Sequence, residues 1–364
     1  MQGRTVLGAT PLKRALMGAT LMGITLLAAC SGDGVHTAPN DGNNPYALTT
    51  TGPGVLSVAP LDTSTWYSST PLGALAPPGH VLPTDHVYLY FVDAWSGQQQ
   101  NADCRARPVR AAGSGVVDLV LVTESTGDTK VDVQMTKTFH YYYDHVRLKP
   151  GITLGTHVNA GDTIATTTGR CPSMDLGVYN LDVTPGGLVN TARYAGQTLH
   201  VVSPYQYFSE PLRSWIYARV RMLEGVPRNK DGRTDWGVRG KLVGDWFHSS
   251  LANEPASIIN GPVGWPKTIS FAYDWYDNTL PRISIGGTIA TAGLLRTAAS
   301  DPDPASVTVS SGLVVYAGTP VLGGLAPGWV LVQMLTDDRM RVEYVANAAT
   351  KPVAFTAAAQ EYVR

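Results

Sequence analysis

Between Ile152 and Gly169 the chain reads ITLGTHVNAGDTIATTTG, with Ile152, Gly155, Val158, Gly161 and Ile164 recurring every third residue. A half-buried strand repeats every two residues and a surface helix every 3.6, so neither fits. Short extended pieces broken at glycines do fit. Each glycine accepts a sharp turn or a positive φ, and each aliphatic residue drops into a shared core. Elsewhere the period-two pattern is plain. Strands are expected over 86–92 (HVYLYFV), 115–123 (GVVDLVLVT), within 130–148 (KVDVQMTKTFHYYYDHVRL) and over 177–183 (GVYNLDV), separated by turn sequences such as STGD and KPG. By alternation, Phe139, Tyr141, Tyr143 and His145 share one face of their strand, and His140, Tyr142 and Asp144 the other. A second set follows: RGKLVGDWF, TISFAYDWY, PRISIGG, GLVVYAG, WVLVQMLT and RMRVEYV. Residues 203–222 (SPYQYFSEPLRSWIYARVRM) read as a short helix running into a strand. Long amphipathic helical patterns are scarce. The chain is therefore expected to be mainly β, with one β domain over 56–200 and a second antiparallel sandwich or barrel over 201–364.

Length agrees, since 364 residues suffice for two cores. Charged residues are 15% of the chain and the formal net charge is −1. Without a basic cluster and interleaved aromatics, nucleic acid is not an expected partner. The N-terminus changes the picture more. Arg4, Lys13 and Arg14 precede an apolar stretch, 15–29, that ends in Leu27-Ala28-Ala29-Cys30. A basic segment, a short apolar segment and small residues describe a secretory signal, and the stretch is too short to span a bilayer comfortably. A cysteine directly after the small residues resembles the lipobox of bacterial lipoproteins. That resemblance implies a signal peptide over 1–29, lipid on Cys30 and, with Ser31 following, an outer-membrane location. Residues 30–55 are rich in Gly, Asn, Thr and Pro and are expected to form a flexible tether. With Cys30 lipidated, Cys104 and Cys171 remain. In an oxidising envelope they are expected to form a disulfide, since two cysteines alone make a poor metal site.

The glycine run also occurs in biotinyl/lipoyl-type folds, but its neighbours point elsewhere. PVRAAGSGVV (108–117), YDHV (143–146) and the run itself follow one another in the order seen in LytM/lysostaphin-like zinc peptidases, the M23 family, which the segment from about 75 to 185 resembles. The resemblance implies an M23-like barrel-sandwich hybrid β domain. It also implies one zinc held by the His and Asp of an H-x-x-x-D segment and by the second His of an H-x-H strand, leaving a position open for water, whose pKa the metal lowers. The first His of H-x-H and the His of Y-x-H would act on that water and on the developing oxyanion.

The residues match this scheme in part. His145 takes the Y-x-H position and is the candidate catalytic residue. His80, Asp85 and His86 are the candidate metal ligands, although His80 and Asp85 stand one residue too far apart, and Asp85 and His86 would point oppositely in a strand. At the H-x-H strand the match fails: Leu176 aligns with the middle residue, leaving Asp175 and Gly177 as the flanks. Asp175 can bind metal or hold a proton, whereas Gly177 has no ligand to offer. No cofactor is therefore expected, with zinc only if the site is intact. His140, His157, His200 and His248 read as ordinary surface or core histidines. There is no G-x-S-x-G, H-E-x-x-H or Walker A sequence, and no carboxylate pair stands out for glycosidase work.

The expected function is that of a lipid-anchored envelope protein with a degenerate, non-catalytic M23-like domain that binds peptidoglycan or a protein partner. Two alternatives remain open. One is an active zinc endopeptidase cutting peptidoglycan cross-bridges with a displaced ligand set such as His80, His86 and His145. The other is a carbohydrate-binding lipoprotein that uses the six tryptophans beyond residue 200: Trp215, Trp236, Trp246, Trp265, Trp275 and Trp329.

Overall fold

The computed structural model describes residues 48–91, 105–123, 127–168, 172–222 and 229–364. Cys30, Cys104 and Cys171, and with them the signal, the lipid anchor and the disulfide, lie outside the described residues. No helix among the described residues is long and apolar enough to cross a membrane. The chain is mainly β, as the alternation predicts. It forms an antiparallel nine-stranded sheet followed by a closed eight-stranded antiparallel barrel.

The sheet contains β1 (Ser68–Ser69), β2 (Val87–Tyr90), β3 (Pro108–Arg110), β4 (Gly115–Thr123), β5 (Asp128–Gln134), β6 (Phe139–Leu148), β7 (His157–Val158), β8 (Thr163–Thr167) and β9 (Ser173–Asn180). Its main path runs β1-β2-β9-β6-β5-β4-β7, with β8 pairing both β3 and the end of β6. Alternate residues supply the core: Val87 and Leu89, Val131 and Val133, Tyr141 and Tyr143, and Met174, Leu176 and Val178. The glycine run crosses from β6 to β4 and back to β3. Gly151, Gly155 and Gly161 take φ of +89°, +81° and +94°, where any other residue would be strained. Between these turns Val158 and Ile164 enter the core and Ile152 packs at its margin. Period three thus records turn–plug–turn.

Residues 201–222 also belong to this core, through Val201, Tyr205, Phe208, Ile216 and Val220. The expected helix is there, over Leu212–Tyr217, but no strand follows it; Val220 makes a single bridge to Ser69. The barrel begins later, with β10 (Gly244–His248), and continues through β11 (Thr268–Tyr273), β12 (Pro281–Ile285), β13 (Gly293–Arg296), β14 (Val314–Gly323), β15 (Gly328–Thr336), β16 (Arg339–Ala346) and β17 (Gln360–Val363), which pairs with β10. Closure leaves no strand edge for a second chain to extend. Trp246, Phe271, Tyr316 and Tyr362 fill the interior with Ile269, Ile283, Ile285, Val330 and Val332. Of the six tryptophans, only Trp246 is wholly buried. Trp215 packs edge-on to Trp66 under Arg219, and Trp236 lies against Tyr273.

The two bodies are joined by a polar lock inside an apolar seam of Leu188, Tyr194, Phe247, Leu251 and Ile259. Asp245 of β10 accepts hydrogen bonds from the Tyr194 hydroxyl at 3.0 Å and the Ser270 hydroxyl at 2.7 Å. Burial raises its carboxyl pKa to about 6, against the help of those two donors. The folded state therefore holds a proton that the unfolded chain releases near pH 4. Between about pH 4 and pH 6 this group makes stability fall as pH rises, by on the order of 3 kcal/mol in all. Asp245→Asn should remove that slope and raise the melting temperature at pH 7 more than at pH 4.5; equal shifts at both pH values would show that Asp245 titrates normally.

Candidate functional site

The face of the sheet opposite the core is polar, because the residues that alternate with the core positions are polar. β2 begins just after His86 and adds Tyr88; β9 adds Asp175, Gly177 and Tyr179; β6 adds His140, Tyr142 and Asp144; β5 adds Lys130, Asp132 and Gln134. The short helix α1 (Gly196–Leu199) lies over part of this face, with Gln197 and Thr198 bonded down to Asp85.

Alternation alone would put His145 in the core beside Tyr143. A bulge moves it. The β5–β6 register passes from Val131↔Tyr143 to Thr129↔Val146, so Asp144 and His145 together oppose one residue, Lys130. Val146 keeps its core place, fully buried, while His145 takes φ +62° and turns to the polar face. That backbone conformation costs a non-glycine residue on the order of 1 kcal/mol. A hydrogen bond of 2.7 Å from the His145 N–H to Asp144 Oδ1 offsets part of it.

Asp85 and His86 lie in the bend before β2 rather than in a strand, so their side chains meet instead of diverging: His86 Nδ1 is 3.0 Å from Asp85 Oδ1. His86 Nε2 is 3.3 Å from Asp175 Oδ2, an ion-pair contact without hydrogen-bond alignment. On the other side of Asp175, His145 Nε2 lies 3.6 Å from the same oxygen, and His145 Nδ1 is 2.8 Å from Asp128 Oδ2. Carboxylates and imidazoles thus alternate from Asp85 to Asp128. His80 stands at the end of the row, its ring edge-on to His86 with centroids 5.1 Å apart. Asp175 is only 2% exposed.

Charge follows from this packing. Burial and the neighbouring His86 push His80 down to about 3. Burial also works against a charged His86, but Asp175 and Asp85 outweigh it and raise its pKa. For Asp85 burial is again opposed, by the His86 hydrogen bond and charge, by Lys130 and by Thr198, which hold its carboxyl well below the usual carboxylate range. Asp175 is raised, because burial exceeds the pull of His86 and His145. A second buried polar group sits further along the face. His140 is stacked on Tyr179 and lies 3.1 Å from Asp118, and Tyr179 donates to Asp132, whose pKa burial raises to about 6.

The residues do not fit a zinc at the position that the M23 resemblance implies. Gly177 faces Tyr142 across the β6–β9 ladder, and a Cβ on residue 177 would collide with the Tyr142 ring. That ring is pinned, with its hydroxyl donating to Asp85 Oδ1 at 2.9 Å and Lys130 Nζ 3.9 Å above its face. The space a third ligand would need is filled by an aromatic side chain. Among the described residues, the group whose potential ligating atoms all lie within 4.8 Å of one another is instead Asp128, Asp144 and His145. Sequence reasoning found His145 but not its companions. Asp128 was hidden in a turn signal, and Asp144 could be assigned only to the face opposite His145.

No family model matches the chain, and no curated protein matches it in sequence. Solved structures match part of it. Helicobacter pylori Csd3 is 20% identical over 39% of this chain and 37% of its own, with a TM-score of 0.27. The catalytic domain of the antimicrobial peptidase lysostaphin from Staphylococcus simulans is 15% identical over 32% of this chain and 84% of its own, with a TM-score of 0.24. A zinc-containing peptidase from Vibrio cholerae is 18% identical over 35% and 37%, with a TM-score of 0.27. The chain thus spans just over a third of the length of the Csd3 and V. cholerae chains.

The Tyr142–Gly177 contact makes a testable statement about stability. Gly177→Ala should cost about 1–3 kcal/mol in urea unfolding by overpacking. In a Tyr142→Ala background the same change should cost little, giving a coupling energy of similar size. Additive effects would mean the ring does not occupy that space.

Proposed function

We propose that this is a cell-envelope protein, held at the outer membrane by lipid on Cys30, whose M23-like sheet binds peptidoglycan without cutting it. One observation carries the non-catalytic part: Tyr142, tied to Asp85, fills the space beside Gly177 where the family's remaining zinc ligand would project. The family reading is supported by motif order set on the fold. Pro108 and Val109 lie in β3, Tyr143 and His145 in β6, the glycine run between β6 and β8, and Asp175 to Gly177 in the strand next to β6. The Asp85 carboxylate that could have served a metal is occupied by four side-chain donors, from His86, Tyr142, Gln197 and Thr198. Such a site is built to be rigid rather than to exchange protons with a substrate.

A second reading, an active endopeptidase, draws on the approach of His86 and His145 to one buried carboxylate, Asp175. The two separate cleanly. Purified mature protein incubated with insoluble sacculi should sediment with them and release no soluble fragments. Release of fragments that is abolished by His145→Ala would overturn the non-catalytic reading in favour of the second. Absence from the pellet would overturn peptidoglycan binding.

A further inference from the structure

The bulge in β6 does more than rescue His145 from the core. It sets Asp144 and His145 side by side on the polar face, next to Asp128 of β5. Asp144 also stands directly across from Asp175 in the β6–β9 ladder. Two carboxylates opposite one another on one face of a sheet repel, and burial deepens the cost. A separate observation concerns Asp175 itself. Its carboxylate is almost fully buried, with Oδ2 3.6 Å from His145 Nε2, yet Oδ1 has no hydrogen-bond partner among the described residues. A buried carboxylate oxygen without a donor needs one, and a bound cation with its water shell, or a water alone, supplies it.

We propose that Asp128, Asp144 and His145 bind a single divalent transition-metal cation of the zinc or manganese class, with Asp175 beside it as the supporting carboxylate. The donor set fits that class. Carboxylates suit hard divalent ions, and an imidazole shifts preference from calcium and magnesium toward zinc and manganese. His145 Nδ1 shares a hydrogen bond of 2.8 Å with Asp128 Oδ2, so a cation would displace that proton to solvent and take both atoms as ligands. Nε2 then lies 3.6 Å from Asp175 Oδ2, longer than a hydrogen bond, so Asp175 acts on the histidine through its charge. A cation with its remaining hydration shell would provide the donor that Asp175 Oδ1 lacks, and its charge would relieve the Asp144–Asp175 repulsion. This site is distinct from the zinc position that the M23 resemblance implies. It uses neither Asp85 nor residue 177; it shares His145 with the endopeptidase reading, so bound metal is counted directly instead of being inferred from cutting.

The test is metal binding by the full mature chain. Chelator-stripped protein is dialysed against zinc or manganese and bound metal is counted by elemental analysis, with circular dichroism to confirm folding. One equivalent is expected, with a rise in melting temperature. Asp144→Asn is the informative variant, because the amide oxygen can still accept from the His145 N–H and hold the bulge. It should weaken binding about tenfold or more, as should Asp128→Asn. His157→Gln, at an exposed strand position away from the cluster, should bind as the parent does. No saturable binding by the folded parent would overturn the proposal. So would binding that survives Asp144→Asn but is lost in His86→Gln, which would put the metal at the His80, Asp85 and His86 end of the row.

Discussion

The contact of the Tyr142 ring with Gly177 decides what the polar face of the sheet can do. The ring fills the space beside a residue without a side chain, and its hydroxyl donates a hydrogen bond to Asp85. Asp85 in turn holds His86, and His86 reaches Asp175. Gln197 and Thr198 close the Asp85 end from above. With one aromatic side chain in that place, the imidazoles and carboxylates settle into a row of mutual contacts instead of converging on a point beside residue 177. The same face remains rich in charge. Low-dielectric surroundings make each pair in it strong, and at the Asp128 end three carboxylates gather around one imidazole.

Much of the architecture was legible from side-chain periodicity. Alternation located the long strands of both bodies, and the three-residue period gave the glycine turns with Val158 and Ile164 as plugs. β13 and β17, which complete the barrel, are four-residue strands with no clear alternation, and only their neighbours in space define them. The boundary near residue 200 was blurred for a related reason. The segment through Val220 has too little regular structure to announce which core it joins, and it joins the first through Tyr205, Phe208 and Ile216.

The site was legible as a set of residue types and illegible as a geometry. Gly177 could be seen to lack a ligand, but nothing in the sequence said that Tyr142 would stand in its place, because that depends on cross-strand register. A one-residue bulge reverses facing, and a bulge is set by pairing rather than by composition. Hence His145 changed face and gained Asp128 and Asp144 as neighbours. Asp85 and His86 sit in a bend that alternation does not reveal, and the bend brings together two side chains that a strand would drive apart.

Anomalous diffraction from crystals soaked in zinc would show directly where this face accepts positive charge. A single peak bordered by Asp128, Asp144 and His145, with Tyr142 still against Gly177 and still bonded to Asp85, is the predicted result. A peak coordinated by Asp85 or His86, with the Tyr142 ring swung out to admit it, would contradict it and restore a zinc centre at the position the ring now fills.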